Sequence, residues 1–214
     1  WLQFMNTTTY REASRIAACL GSCGEGGGPQ ALTKSSWARL LQGLQDRFDW
    51  CLPLSAGSVV HNLYIAGYGD AREAVSALVT GYVGTVHGIE LLDVPLHLYS
   101  VDLSRAHLTQ GDFLDVTSLP PTVTHVYSTA LVNFTFYCHL LHLALTHPAV
   151  TLVTMFSCMW RTLGLSRTRM ETGLGSDNVV PTTRVALVGG KSSFTLLTVH
   201  LTSDVRRELL QYLT

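Results

Sequence analysis

Two acids and an aromatic ring carry the most chemistry in this chain. Glu90 falls in the word GIELLDVP at residues 88–95, and Asp112 and Phe113 fall in GDFLDV at 111–116. A carboxylate at the end of a strand can accept hydrogen bonds from both hydroxyls of a ribose. A second carboxylate beside an aromatic side chain can bind the amino group of adenine while the ring stacks on the base. Upstream, IAGYGDA at 65–71 supplies Gly67 and Gly69, which let a backbone turn approach a ligand closely. Downstream, Asn133 stands in VNFTF at 132–136. Each residue also has a plainer reading: a tight turn, an exposed strand-end acid, a turn acid beside a core Phe.

These words need alternating strands and helices to bring them together. Residues 59–66 and 85–91 read as strands with a helix over 70–80 between them, and 108–110 and 123–129 as a short third and a fourth strand. Residues 134–146 read as a helix, since Phe134, Cys138, Leu141 and Leu145 share one face and Pro148 follows its end. The apolar run 150–156 is a strand of the buried parallel kind. Residues 182–188 and 194–201 alternate around Gly189-Gly190-Lys191, a hairpin signal, and Ser203 caps a last helix over 204–212. The pattern predicts an α/β fold with one mostly parallel sheet and an antiparallel edge. Before it, residues 7–19 read as a short helix and 21–28 as a glycine-rich loop. A second helix follows over 35–48, with Trp37, Leu40, Leu41, Leu44 and Phe48 on its core face and Ser35 or Ser36 as cap. The chain thus divides into an N-terminal helical extension, 1–58, and an α/β domain, 59–214.

Composition bounds the partners. The chain has 214 residues, 47% of them hydrophobic, enough for one full core. A net charge of −1 and 14% charged residues argue against a strongly basic nucleic-acid binder. A local patch of Arg161, Arg167 and Arg169 with Arg184 reads either as a solvated loop or as contacts to RNA or DNA phosphates. So apolar and charge-poor a surface fits a subunit of a larger assembly as well as a free monomer. The five cysteines, Cys19, Cys23, Cys51, Cys138 and Cys158, form no framework and read as reduced intracellular thiols. No metal site is expected: Cys19 and Cys23 have no matched pair, and His139 and His142, three residues apart, lack completing ligands. Asn133, Pro148 and several histidines interrupt the apolar stretch 130–156, which predicts a buried helix and strand rather than a membrane span. Beginning at Trp1 without an initiator Met, the chain is expected to be a fragment or a processed form.

Taken together, the words resemble one family, the non-SET nucleosomal histone H3 lysine methyltransferases of the disruptor-of-telomeric-silencing type. Their G-[VI]-E-x-x-D-[IV]-P is matched by Gly88, Ile89, Glu90, Asp93, Val94 and Pro95, and their G-D-F-L by residues 111–114. Their N-N-F-x-F is partly kept from Val132 to Phe136, and their C-terminal G-K turn resembles Gly190-Lys191. The resemblance runs from about residue 59 to the end. It implies a class I methyltransferase: a seven-stranded, mostly parallel, Rossmann-like sheet with an antiparallel C-terminal hairpin. It also implies S-adenosylmethionine as cofactor, held by Gly67 and Gly69 at the turn, Glu90 at the ribose, and Asp112 with Phe113 at the adenine. Asn133 is the catalytic candidate, as the retained residue of the target-lysine channel, and a histone is the implied substrate of an active member.

The chain also departs from the family pattern. The acid of D-x-G-x-G-x-G is Ile65 and its last glycine is Ala71; the first Asn of N-N-F is Val132. The closing loop with its Tyr-Gly-Glu word has its nearest equivalent at 52–59, and only residues 99–106 replace the helix between the second and third strands. Methyl transfer is an in-line displacement that depends on positioning and a dry channel, so such losses can abolish it without disturbing the fold. The resulting expectation is a degenerate methyltransferase-like protein with a poorly formed cofactor pocket. It would be a structural or assembly component with protein partners and with RNA contacts through Arg161, Arg167 and Arg169, as in an organellar ribosome. The alternative is an active protein-lysine methyltransferase. The first places the chain in mitochondria, the second in the nucleus, both intracellular.

Overall fold

A computed structural model describes residues 7–21, 31–48, 61–130, 132–188 and 191–213. Seven strands form one sheet: β1 (Asn62–Ala66), β2 (Thr85–Glu90), β3 (Ala106–Gln110), β4 (His125–Tyr127), β5 (Leu152–Phe156), β6 (Val179–Ala186) and β7 (Ser193–His200). Their order is β3-β2-β1-β4-β5-β7-β6. The first five strands are parallel, and β7 runs antiparallel between β5 and β6. The chain works outward from β1 to β3, then restarts at β4 on the other side of β1. In such sheets the crevice at that reversal, outside the strands' carboxyl ends, takes ligands. The sheet matches the sequence expectation in strand number, direction and hairpin edge.

Helices cover the sheet. They are α1 (Thr7–Gly21), α2 (Lys34–Phe48), α3 (Arg72–Val79), α4 (Phe134–Thr146), α5 (Ser157–Thr162), α6 (Arg167–Gly173) and α7 (Ser203–Leu213). Apolar spacing explains the long ones: Trp37, Leu40, Leu41 and Leu44 of α2 are all buried, as its stripe requires. One hydrophobic core joins these α2 residues to Leu63, Ile65, Val86, Val126, Leu152, Val153 and Leu197 of the sheet. Trp37 packs edge-to-face on Tyr127 of β4, with ring centroids 5.4 Å apart. The extension is also joined through the backbone, by a bridge between Leu32 and Leu187.

Several local expectations change. Neither Ser35 nor Ser36 caps α2; the Oγ1 of Thr33 accepts the Ser36 N–H at 3.3 Å. Helices α5 and α6 occupy a stretch for which the sequence predicted no element, and they carry Arg161, Arg167 and Arg169. Between β2 and β3 there is a single 3-10 turn, Leu96–Leu98, as the shortened connection predicts. Residues 189–190, 52–59 and 22–30, with Cys23 and Cys51, lie outside the described residues. Among the described residues, no helix is long and apolar enough to cross a membrane.

Candidate functional site

The carboxyl edge of β1, β2, β3 and β4 gathers the residues singled out by sequence. Leaving β1, the chain turns through Gly67 and Gly69, whose φ values are +72° and +58°. Ala71 follows at φ +64°, a left-handed conformation that alanine adopts only at a cost. The turn is anchored by Gly67 N–H donating to Ile89 O and Ala71 N–H to Tyr68 O, both at 2.9 Å. A Cβ on Gly67 would stand 2.8 Å from Cβ of Ala130, so the loop after β4 packs directly on this glycine. Ala71 is fully buried, and so is Ile65, two residues before Gly67.

Glu90 ends β2 beside the turn, as predicted from its word. Its Oε2 accepts the Gly69 N–H at 2.8 Å and its Oε1 the Leu92 N–H at 3.3 Å. The carboxylate therefore stitches β2 to the glycine turn. Tyr68, between the two glycines, is buried and donates to Thr109 O at 3.3 Å. Burial, then the charges of Glu90 and Asp93, push its hydroxyl up to about 12.

Asp112 is exposed and caps the 3-10 turn Phe113–Asp115, its Oδ1 accepting from Leu114 N–H at 2.9 Å. The Phe113 ring is only 4% exposed. It packs against Phe136 at 4.8 Å, His139 at 5.2 Å and Tyr64 at 6.2 Å between ring centroids. Asn133 is exposed and caps α4, accepting from Phe136 N–H at 3.0 Å. The loop before it is held by Tyr137, whose hydroxyl accepts from Val132 N–H at 2.7 Å and lies 3.0 Å from Val132 O. His139 approaches Val116 O at 2.8 Å, and no metal-binding cluster of His, Cys, Asp or Glu occurs among the described residues.

Sequence reading missed the charged layer beneath the turn. Asp70 and Arg72 form a fully buried ion pair, with Arg72 Nε at 2.9 Å from both carboxylate oxygens. Tyr99, from the shortened connection, donates to Asp70 O at 2.7 Å. Glu73 is buried in the first turn of α3, and its Oε1 accepts the Leu32 N–H at 2.6 Å, latching the extension to the cleft floor. Burial first, then the charge of Asp70, raise the Glu73 carboxyl to about 8. The only sequence signal for this layer was the cluster of charges in DARE at 70–73 on an otherwise apolar helix.

The fold implies S-adenosylmethionine, and the residues fit it unevenly. Glu90 and Asp112 stand at the strand ends where a ribose and an adenine would be met, with lone pairs left over. The space above Gly67 is taken by Ala130, one oxygen of Glu90 by Gly69, and the face of Phe113 by other rings. Around this edge the chain exposes Leu91 (67%), Phe134 (54%) and Val132 (50%), with Leu92 and Leu114 at 40% each.

No family model matches the sequence, and no curated protein matches it significantly. Solved structures do match. The methyltransferase domain of METTL16 aligns over 91% of this chain and 80% of its own, at 10% identity and a TM-score of 0.57. The 23S rRNA methyltransferase ErmE aligns over 80% of this chain and 69% of its own, at 12% identity and a TM-score of 0.50. Identities this low speak for the fold alone. With strand order, direction and hairpin edge in agreement, the chain has the fold of the class I S-adenosylmethionine-dependent methyltransferases.

Proposed function

We propose that this protein is a methyltransferase-fold assembly component whose donor cleft has closed on itself. The observation that carries the reading is the glycine turn. Donor binding needs backbone free to approach the ligand. Here Ala130 packs on Gly67, Ala71 buries a methyl in the turn, and Glu90 bonds the Gly69 amide. The exposed apolar side chains along the same edge support a protein partner there, since such patches mark interaction sites. An organellar ribonucleoprotein, with a mitochondrial location, is the setting that joins a methyltransferase fold, a closed cleft and a partner-covered surface.

Titration of the purified chain with S-adenosylmethionine and S-adenosylhomocysteine by calorimetry tests the reading. No heat of binding is expected; micromolar binding of either ligand overturns it. Light scattering after size exclusion tests the assembly half: self-association in isolation is expected, and a monodisperse monomer at high concentration refutes it.

A second reading rests on a separate observation. Glu90 and Asp112 both reach the mouth of the cleft, in words resembling those of the histone lysine methyltransferases. Under it the chain transfers methyl groups to a histone lysine through a channel beginning at Asn133. Incorporation of labelled methyl into nucleosomes or free histones would establish it.

A further inference from the structure

A second concavity lies on the carboxyl edge of the sheet, beyond the donor cleft, where β5 ends and β7 begins. It is a cavity of about 340 Å³ lined by Arg161, Arg167, Ser157, Ser166, Thr195 and Phe194. Arg161 comes from the last turn of α5 and Arg167 opens α6, so two short helices direct two guanidinium groups to one opening. No aspartate or glutamate lines it. Arg167 is oriented by Glu171, which accepts from its Nε at 2.7 Å and leaves its terminal nitrogens without a bond among the described residues. The Arg161 side chain has no hydrogen bond or ion pair among the described residues. Glu171 offsets part of the Arg167 charge through this ion pair, while Arg161 and the free terminal nitrogens of Arg167 keep donors available to an anion.

The remaining wall narrows the ligand. Ser166 accepts the Arg169 N–H, which leaves its hydroxyl proton free to donate. Ser157 and Thr195 also line this wall. Guanidinium and hydroxyl donors match the oxygens of a phosphate. On one side the half-buried Phe194 ring leans on Phe156, centroids 5.1 Å apart, and gives a base a surface to stack on. A volume near 300 Å³ is at the small end of ligand sites and suits one nucleotide. Arg169 takes no part: it stacks over Tyr212, its guanidinium carbon 4.6 Å from the ring centroid. Arg184 sits on the bulge of β6 and does not line the cavity.

We propose that this cavity binds a nucleoside phosphate unit, with Arg161 and Arg167 on the phosphate and Phe194 under the base. The wall offers a phosphate grip and a stacking face but no paired donor-acceptor set for a base edge, so recognition is insensitive to sequence. The unit comes from single-stranded RNA or from a free nucleotide. The inference rests on the assembly reading only in favouring RNA.

The test is fluorescence anisotropy of the full chain with a short labelled single-stranded RNA, with AMP, UMP and inorganic phosphate as competitors. The double variant Arg161→Gln/Arg167→Gln should weaken RNA binding by at least about tenfold, as loss of charged hydrogen bonds implies. Arg169→Gln should leave it unchanged, and Phe194→Leu should weaken RNA and AMP but not phosphate. Mononucleotides competing as well as RNA, nucleotide for nucleotide, identify a free nucleotide as the ligand; competition by RNA alone identifies RNA. Absence of binding by all probes overturns the proposal, as does equal loss in Arg169→Gln and the double variant. Calorimetry with S-adenosylmethionine on the same variants keeps the two proposals separable, because neither arginine borders the donor cleft.

Discussion

Gly67→Ala is the sharpest probe of the closed turn. Its new Cβ would stand 2.8 Å from Cβ of Ala130, at a residue whose φ is +72°. A left-handed backbone disfavours a non-glycine residue by roughly 1–2 kcal/mol. Forcing a methyl into a packed contact adds roughly 1–3 kcal/mol. The single variant should therefore lose about 2–5 kcal/mol. Ala130→Gly removes the opposing methyl but does nothing for the backbone. In Gly67→Ala/Ala130→Gly the overlap should vanish and the conformational strain remain, so the pair should be about 1–3 kcal/mol more stable than the sum of its singles. Urea denaturation at 25 °C, followed by tryptophan fluorescence, measures all four proteins. If the double variant is merely additive, Ala130 does not fill the space over Gly67, and the argument that the turn has closed on protein fails.

Three further outcomes follow from the buried charges and the core histidine. Glu73 is raised to about 8, so its contribution is fully present below its unfolded value of 4.5 and is lost as pH climbs toward 8. Glu73→Gln, which keeps an acceptor for Leu32 N–H, should raise the melting temperature at pH 8, leave it nearly unchanged at pH 4.5, and flatten the profile between. His125 is buried against Thr154, and burial, with the charge of His61, lowers it from 6.5 to about 3. Stability should therefore fall as pH drops from 6.5 toward 3, and His125→Asn should blunt that slope in pH-dependent melts; an unchanged slope assigns acid unfolding elsewhere. Asp70→Asn removes the carboxylate paired with buried Arg72 and should cost roughly 3–5 kcal/mol in urea denaturation, against almost nothing for Asp204→Asn, which breaks the exposed pair with Arg207.

Sheet and site were not equally legible in the sequence. Strands announce themselves through continuous or alternating apolar runs, so β5 was visible as five buried residues in a row and α4 matched its predicted bounds. Helices α5 and α6 are six and seven residues long, too short to show an amphipathic repeat, and so left no periodic trace. Motif words placed Glu90 and Asp112 at the right strand ends, because a strand end is a local property. What those groups bond is not local. That Glu90 reaches Gly69, that Phe113 lies among Tyr64, Phe136 and His139, and that Glu73 holds Leu32 depend on pairings across 21 to 49 residues and on packing no window of sequence contains. The arginine cluster shows the same limit, since one of its members turns out to lie on Tyr212.

Ile65 and Ala71 differ in how easily each could be replaced. Placing glycine at 71 exchanges a buried methyl and a stiffer unfolded chain, together roughly 1–2 kcal/mol, for a relaxed backbone of about the same size, so the contributions nearly cancel. That step is open to neutral drift. Ile65 lies within β1, 2% exposed, paired between Gly88 and Tyr127. A carboxylate there enters an apolar layer with no bound ligand to meet it, a change that penalises the fold by several kcal/mol before any benefit can appear. On the closed turn proposed here, selection for a stable sheet works as a ratchet. It permits a glycine at 71 to come and go while holding the isoleucine in place, so the surfaces can be refined far more readily than an acid can be placed in β1.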